Sequence, residues 1–144
     1  SERLPSGVGT TYNAGDSSVM AVTILMSNND TTSRTGQDAE NQAAQFLVRQ
    51  GLSLVERNYR CRGGEIDLVC RDGKVLVFVE VRLRRSSGFG GAAASITLGK
   101  QRRLTLAAEH YLQKQGWQHC ACRFDCVLLD GQTIEWVRDA FSAV

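Results

Sequence analysis

Two neighbouring stretches in the middle of the chain alternate apolar and polar positions as β-strands do. They span residues 64–70 and 75–82, and Asp72 and Gly73 lie between them. An Asp-Gly pair between alternating strands is a strong hairpin signal, because both central positions of such a turn need a positive φ. The sequence therefore predicts an antiparallel β-hairpin with a two-residue turn at Asp72-Gly73.

The register of this hairpin decides which side chains come together. A turn at Asp72-Gly73 pairs Arg71 with Lys74, and it makes Asp67 and Glu80 diagonal neighbours about 7 Å apart at the backbone. Because side chains alternate with period two, one face of the hairpin is charged and the other is apolar. The charged face holds Glu65, Asp67, Glu80 and Arg82, and the apolar face holds Ile66, Leu68, Val77, Val79 and Val81.

The acids Asp67 and Glu80 lie in otherwise apolar strands. Like charges on adjacent strands repel each other, and buried carboxylates need a cation close by. A divalent metal ion that prefers oxygen ligands is one such partner. The alternative is a hairpin face open to water, on which Arg82 neutralises Glu80. The pattern of residues alone supports these two interpretations about equally.

Helical periodicity predicts two helices, over residues 36–50 and 98–115. Gly51 and Gly116 directly follow them, at the position where glycine commonly ends a helix. Glu40 lies at the border of the apolar face of the first helix. It either points inward over the sheet or is a first-turn acid that the helix dipole favours.

Three further apolar stretches predict strands over residues 52–59, 123–129 and 133–137. Asp125 lies next to Arg123 in the second of these stretches. We interpret Asp125 as a structural acid that holds a loop or a helix end.

The composition is typical of an ordinary globular domain. The chain has 144 residues, of which 42% are hydrophobic and 22% are charged, and its net charge is +2. This length is enough for one domain with a sheet and a few helices. We interpret residues 34–144 as that domain and residues 1–33, rich in Ser, Thr, Gly and Asn, as a variable or partly disordered leader. The best apolar run, residues 19–26, is too short to span a membrane, so no membrane partner is expected.

The five cysteines have neither a regular spacing nor a C-x-x-C pair. They indicate reduced thiols and a cytoplasmic protein. A zinc site built from Cys61, His119, Cys120 and Cys122 is the weaker alternative, because C-x-C alone is a poor zinc signal.

Positive charge is concentrated after the hairpin. Residues 83–108 contain no Asp or Glu. The basic residues of this segment are Arg84, Arg85, Lys100, Arg102 and Arg103, and Arg82 directly precedes it. The last three lie in the first turns of the second helix, where the helix dipole disfavours positive charge. A negative group such as a phosphate backbone is therefore expected nearby, and a solvated basic face is the alternative.

Several of these segments together resemble a known family. The matching segments are G-E-I-D-L-V at residues 64–69, F-V-E-V-R at residues 78–82, R-F-D at residues 123–125, and the helices with Glu40 and Lys100. Their order resembles the YraN-like family of small bacterial proteins, which is similar to the archaeal Holliday-junction resolvases. The resemblance covers roughly residues 34–141. It implies the restriction-endonuclease-like, PD-(D/E)XK nuclease fold, an α/β fold with a mixed central β-sheet flanked by α-helices.

The resemblance also implies a metal-dependent site. Asp67 matches the first acid of the motif, Glu80 matches the second, and Glu40 matches the acid that such nucleases often contribute from the first helix. Together with the carbonyl of Val81, these residues are expected to bind Mg²⁺ or Mn²⁺. The implied activity is hydrolysis of phosphodiester bonds in DNA, including branched or junction DNA. The DNA-binding residues would be Arg84, Arg85, Lys100, Arg102 and Arg103, and a homodimer is plausible by analogy with junction resolvases.

Arg82 occupies the position two after Glu80, where the motif usually has lysine. Arginine stays protonated, so it can stabilise charge on a phosphate but cannot act as a base. If the role of this position is electrostatic, Arg82 preserves activity. If the role is acid-base chemistry, the protein binds DNA and cuts it poorly. The alternative function is therefore a nucleic-acid-binding module that retains the nuclease fold.

Overall fold

The described part of the chain forms one sheet with a helix on each face. A computed structural model describes residues 8–12, 20–25, 36–83, 96–130 and 133–142. In chain order the elements are β1 (Val8–Tyr12), β2 (Met20–Leu25), α1 (Gly36–Arg49), β3 (Ser53–Cys61), β4 (Gly64–Asp72), β5 (Val75–Leu83), α2 (Leu98–Gln115), β6 (Cys122–Leu129) and β7 (Thr133–Phe141).

The sheet is mixed, with strand order β1-β2-β7-β6-β5-β4-β3. Strands β5 and β6 are parallel, and the other neighbouring pairs among the described strands are antiparallel. A parallel pair needs a long crossover connection, and α2 lies in the connection between β5 and β6.

The two helices cover opposite faces of the sheet. On the α1 face, the buried cluster includes Ala43, Phe46 and Leu47 from the helix and Leu68, Cys70, Val77 and Val79 from the sheet. On the α2 face, it includes Leu104, Ala107 and Tyr111 from the helix and Ile66, Val69, Leu76 and Phe78 from the sheet. This three-layer α/β arrangement is consistent with the restriction-endonuclease-like fold, so the predicted fold class is confirmed.

Both predicted helices are confirmed, since α1 ends one residue before the predicted bound and α2 agrees with it. Gly51 and Gly116 follow them with φ values of 104° and 76°. The N–H of Gly116 donates to the carbonyl of Gln113 at 3.2 Å. Glycine adopts such left-handed conformations without the steric cost of a Cβ atom.

The predicted hairpin is formed by β4 and β5, but its turn is displaced by one residue. Asp72 pairs with Val75, so Gly73 and Lys74 form the turn, and Gly73 has a φ of +60°. Glycine at the first central position suits a type II′ turn, whereas the prediction assumed positive φ at both central positions. The predicted pairing of Arg71 with Lys74 is therefore wrong. The register moves by two residues, and a shift of two does not by itself move a side chain to the other face.

The sheet extends beyond the predicted strands. β7 continues four residues past the predicted end at position 137, and β3 extends to Cys61. Two strands that were not predicted, β1 and β2, lie within residues 1–33 and continue the sheet from β7. The division into a leader and one domain stays a prediction. Within the described ranges, neither helix combines the length and the apolar character needed to cross a membrane.

Candidate functional site

Asp67 and Glu80 meet where β4 and β5 pair. Leu68 pairs with Val79, and Asp67 and Glu80 are the next positions beyond that pair. Oδ2 of Asp67 accepts a hydrogen bond from the backbone N–H of Val81 at 2.8 Å. The two carboxyl groups are close enough to form a hydrogen bond when one of them is protonated. The two acids therefore directly follow the last paired residues of the two strands, and the register behind the predicted diagonal arrangement is wrong by the same two-residue shift.

Glu80 is a buried acid with an unusual environment. Its relative exposure is 4%, and its Oε2 atom accepts no hydrogen bond from the described residues. Burial, together with the hydrogen bond and the negative charge of Asp67, raises the pKa of Glu80 to about 8, although Lys100 acts in the opposite direction. Strongly perturbed carboxyl groups are concentrated at functional sites, so Glu80 is the first candidate for a functional residue.

Asp67 lies at the point in β4 where the regular alternation of side chains between the two faces of the sheet is interrupted. Leu68 packs on the α1 face, whereas Ile66 packs on the α2 face. Regular alternation would place both on one face, so the prediction for Ile66 is wrong. Asn58 of β3 lies between the residues that pair with Leu68 and Ile66 and has a φ of 53°, a left-handed conformation that asparagine tolerates. Near this irregular point Asp67 has acidic neighbours from two other elements, Glu80 of β5 and an acid of α1.

The acid of α1 that approaches Asp67 is Glu40. Burial and the negative charge of Asp67 raise the pKa of Glu40, and a hydrogen bond with Asn58 and the charges of Arg57 and Arg60 oppose this effect. Its Oε1 atom is buried and has no hydrogen-bond partner among the described residues. Even so, the described ranges contain no group of three or more His, Cys, Asp or Glu side chains arranged to hold a metal ion. Direct metal ligation by Glu40 stays a prediction.

Lys100 reaches the acid pair from the first turn of α2. Its Nζ atom lies 3.3 Å from Oε2 of Glu80. Thr97 caps the helix, because its Oγ1 atom accepts a hydrogen bond from the Lys100 backbone N–H at 3.2 Å. The sequence predicted DNA binding for Lys100 and a negative group near this turn, but it did not identify Glu80 as that group. The available signal was the unfavourable position of a lysine at a helix N-terminus.

A cleft of about 340 Å³ lies beside Glu80. Its lining residues are Glu65, Glu80, Thr97, Gly99, Lys100 and Arg103. Arg102 is exposed on the same helix, and Arg82 is half-buried on β5. Arg84 and Arg85, the remaining predicted DNA-binding residues, lie outside the described residues. The cleft therefore joins the N-terminus of α2, with Lys100 and Arg103, to the acid pair.

The donor atoms of Asp67 and Glu80 suit a hard divalent cation. Mg²⁺ in proteins needs only one or two carboxylates, with water and substrate oxygens as the other ligands. Oε2 of Glu80 is a buried oxygen without a hydrogen bond from the described residues, and such an ion would satisfy it. A divalent charge would also offset the repulsion between the two acids. These two residues fit the implied metal, and ligation by the Val81 carbonyl stays a prediction.

Comparison with known proteins relates this chain to one family. The family model described as uncharacterised protein family UPF0102 matches residues 39–129. A UPF0102 protein of Dechloromonas aromatica is 64% identical over 115 residues, which cover 80% of this chain and 94% of that protein. A UPF0102 protein of Methylobacillus flagellatus is 55% identical over 111 residues, covering 75% of this chain and 96% of that protein. A UPF0102 protein of Ralstonia pickettii is 55% identical over 114 residues, covering 76% and 91%. These matches confirm the YraN-like resemblance, and the chain belongs to the uncharacterised protein family UPF0102.

Proposed function

We propose that this protein is a metal-dependent endonuclease that hydrolyses phosphodiester bonds in DNA, with branched or junction DNA among its substrates. The observation that carries the proposal is the position of Asp67 and Glu80 on the paired strands β4 and β5, where Glu80 is buried and has an oxygen without a hydrogen bond from the described residues. Two adjacent acids in an apolar sheet are costly unless cations neutralise them. Lys100 offsets part of this charge, and a divalent cation would offset the rest.

Each residue of the site has a role in this proposal. Asp67 and Glu80 supply the oxygens that hold Mg²⁺ or Mn²⁺, and the Val81 N–H orients the Asp67 carboxylate. When bound, such an ion polarises a phosphoryl oxygen and lowers the pKa of a ligated water. Arg82 contributes positive charge beside the acids and cannot serve as the base, because it stays protonated. Glu40 is suited to accept a hydrogen bond from a water molecule near Asp67.

The proposed DNA-binding surface is the basic segment around the start of α2. Lys100 and Arg103 line the cleft beside Glu80, and Arg102 is exposed next to them. Arg84 and Arg85 extend this set in sequence. Positive side chains near a helix N-terminus attract a phosphate backbone, and they would position DNA over the acid pair.

The second candidate function is a DNA-binding module without efficient cleavage. Two observations favour it: Arg82 stands where the motif usually has lysine, and the described ranges contain no three-residue metal cluster. A module of this kind would bind DNA with a strong dependence on salt and would bind no metal ion at Asp67 and Glu80. A homodimer and a cytoplasmic location stay predictions under both functions.

The test is a cleavage assay on duplex, flap and four-way-junction DNA with Mg²⁺ or Mn²⁺. The variants Asp67→Asn and Glu80→Gln should each lower the cleavage rate at least about 100-fold, as expected for the loss of a group that stabilises the transition state. Glu109→Gln is the matched control, because Glu109 is an exposed acid of α2 away from the cleft. Absence of cleavage with both metals on every substrate would overturn the endonuclease proposal, and DNA binding in that case would support the second function. Cleavage that is undiminished in both acid variants would come from a contaminant.

A further inference from the structure

The ion pair between Lys100 and Glu80 occupies the oxygen that a metal ion would use. Lys100 Nζ lies 3.3 Å from Oε2 of Glu80, and the side-chain exposures are 40% for the lysine and 5% for the glutamate. Oε2 has no hydrogen bond from the described residues, so the ammonium group leaves this oxygen incompletely satisfied. A divalent cation bound to the same oxygen would therefore meet the ammonium group at close range.

The backbone of Lys100 is held firmly although its side chain reaches solvent. Thr97 caps the helix through the Lys100 N–H, and the side chain of Gln101 donates to the carbonyl of Ile96 at 3.1 Å. Ile96 is itself buried at 4% exposure, in the cluster with Cys126. These contacts hold the backbone in place, whereas the flexible four-carbon side chain of Lys100 reaches solvent and has freedom to move.

Two cations close to one carboxylate oxygen repel each other, and a partly buried site screens this repulsion less than bulk water does. A divalent ion would have the higher charge and would also be attracted by Asp67, so it would retain the oxygen. The displaced ammonium group has the cleft available, whose other lining residues are Glu65, Thr97, Gly99 and Arg103. A DNA phosphate that enters this cleft would provide the negative charge that Lys100 loses.

We propose that Lys100 is a metal-displaced cation: it pairs with Glu80 when no divalent ion is bound, and it contacts a DNA phosphate when one is bound. This inference rests on the proposed function, because it assumes that the cleft receives DNA. It couples metal binding to DNA binding through one side chain, and such coupling is reciprocal. In this proposal Lys100 of α2 takes the place of the lysine that the motif usually has at position 82.

The experiment measures the salt dependence of DNA affinity, which counts the phosphates that the protein neutralises. A labelled duplex is titrated with wild type and with Lys100→Met over a series of KCl concentrations, without divalent ions and with saturating Ca²⁺. Without Ca²⁺ the two proteins should have equal slopes of log affinity against log salt. With Ca²⁺ the slope of the wild type should be steeper than that of the variant by about 0.9, the value for one phosphate contact on duplex DNA. Each sample is checked on a gel so that cleaved DNA is excluded.

Two further variants serve as controls. Lys74→Met removes an exposed lysine of the β4–β5 turn and should give the wild-type slope in both conditions. Lys100→Arg keeps the positive charge and should retain the slope increment, which also guards against a folding defect in Lys100→Met. Equal slopes with Ca²⁺, or slopes that already differ without Ca²⁺, would overturn the inference and leave the proposed function intact. Absence of any DNA binding by the wild type would instead overturn the proposed function and this inference together.

Discussion

Two buried acids lie on neighbouring strands of the sheet and have opposite surroundings. Asp125 of β6 is 0% exposed, and Glu80 of β5 is 4% exposed. Oδ1 of Asp125 accepts hydrogen bonds from Arg123 Nε at 3.0 Å and from the Asp139 N–H at 2.9 Å. Its Oδ2 atom accepts one from Trp136 Nε1 at 3.0 Å. Asp125 therefore has a structural role, as predicted, since both of its oxygens are satisfied by the protein. Its partners lie in β6 and β7, so the predicted contact with a loop or a helix end is wrong.

Glu80 is not satisfied in this way. One of its oxygens has no hydrogen bond from the described residues, its nearest acidic neighbour is Asp67, and its cation Lys100 is partly exposed. Burial alone does not separate a structural acid from a functional one in this sheet. The two kinds of acid differ in the number of hydrogen-bond donors on each carboxylate oxygen. An incoming ligand can stabilise an acid whose oxygens the protein leaves incompletely satisfied.

The largest effect that separates the two acids is expected for Asp125→Ala. This change leaves Arg123 without its buried partner and removes the acceptor of Trp136 Nε1. We expect a loss of about 4 kcal/mol in the free energy of unfolding, measured by urea titration, because the buried Trp136 Nε1 loses its acceptor and Arg123 keeps only its ion pair with the half-buried Asp72. Glu80→Gln should cause no loss at neutral pH. A loss below about 1 kcal/mol in Asp125→Ala would contradict the structural role, because surface substitutions produce effects of that size.

The next effect is a pH dependence that belongs to Glu80. Its folded-state pKa of about 8 exceeds the ordinary value of 4.5, so the folded protein holds a proton that the unfolded chain has released between these values. Its contribution to stability is complete below 4.5 and is lost as the pH rises to about 8. We expect a decline of about 2 to 3 kcal/mol over this window, since water that enters the site relieves part of the cost of ionising the carboxyl group.

Urea titrations of wild type and Glu80→Gln over the same pH range measure this decline. The difference between the two curves isolates Glu80, because their other titrating groups are shared. Saturating Mg²⁺ should reduce the decline in the wild type, since it stabilises the ionised carboxylate. Parallel curves for the two proteins would show that Glu80 titrates without a raised pKa.

A third change tests how closely α2 packs on β4, next to Glu80. A Cβ atom on Gly64 would lie 2.3 Å from the backbone oxygen of Arg103, so Gly64→Ala must displace α2 or β4. We expect a loss of about 2 kcal/mol in stability, which is typical of overpacking. DNA affinity should fall as well, because α2 carries Lys100 and Arg103.

Gly99→Ala is the matched control for this change. A Cβ atom on Gly99 meets no atom within 4 Å, and alanine favours the helix, so stability should rise by up to about 1 kcal/mol. A stability loss in Gly64→Ala no larger than the effect in Gly99→Ala would contradict the close packing of α2 on β4.

The sequence predicted the parts of this site that depend on local periodicity. Alternation in β4 and β5 identified Asp67 and Glu80, and helical spacing identified Glu40, because these patterns are set by neighbours along the chain. The turn was misassigned because an Asp-Gly pair suits two turn types, and the residue after Gly73 completes the turn.

Other features depend on contacts between distant elements, which a single sequence does not contain. The face change of Ile66 accompanies the left-handed backbone of Asn58 on the adjacent strand. The contact between Lys100 and Glu80 depends on how α2 lies over β5. The strands β1 and β2 were missed because their surroundings are rich in small polar residues, and their pairing with β7 is a tertiary interaction.

The smallest effects concern the two arginines that accompany the acids. Arg123 donates through Nε to Asp125 and through Nη1 to Asp72 at 2.9 Å, a forked geometry that lysine cannot reproduce. Arg123→Lys should therefore lower the free energy of unfolding by about 1 kcal/mol, the usual value of one lost hydrogen bond.

Arg82→Lys is the matched change on the Glu80 side, and there the conservative substitution should have less effect. Lys100 already supplies an amine to Glu80, so a second lysine at position 82 adds no new chemistry to the site. We expect stability to stay within about 0.5 kcal/mol and the cleavage rate to change less than about threefold, which corresponds to about 0.6 kcal/mol. A cleavage rate that rises by orders of magnitude in Arg82→Lys would mean that the position after Val81 needs a titratable amine. Lys100 would then be a cation that only stabilises Glu80. The roles of Asp125 and Glu80 would in that case differ less than their hydrogen bonds indicate.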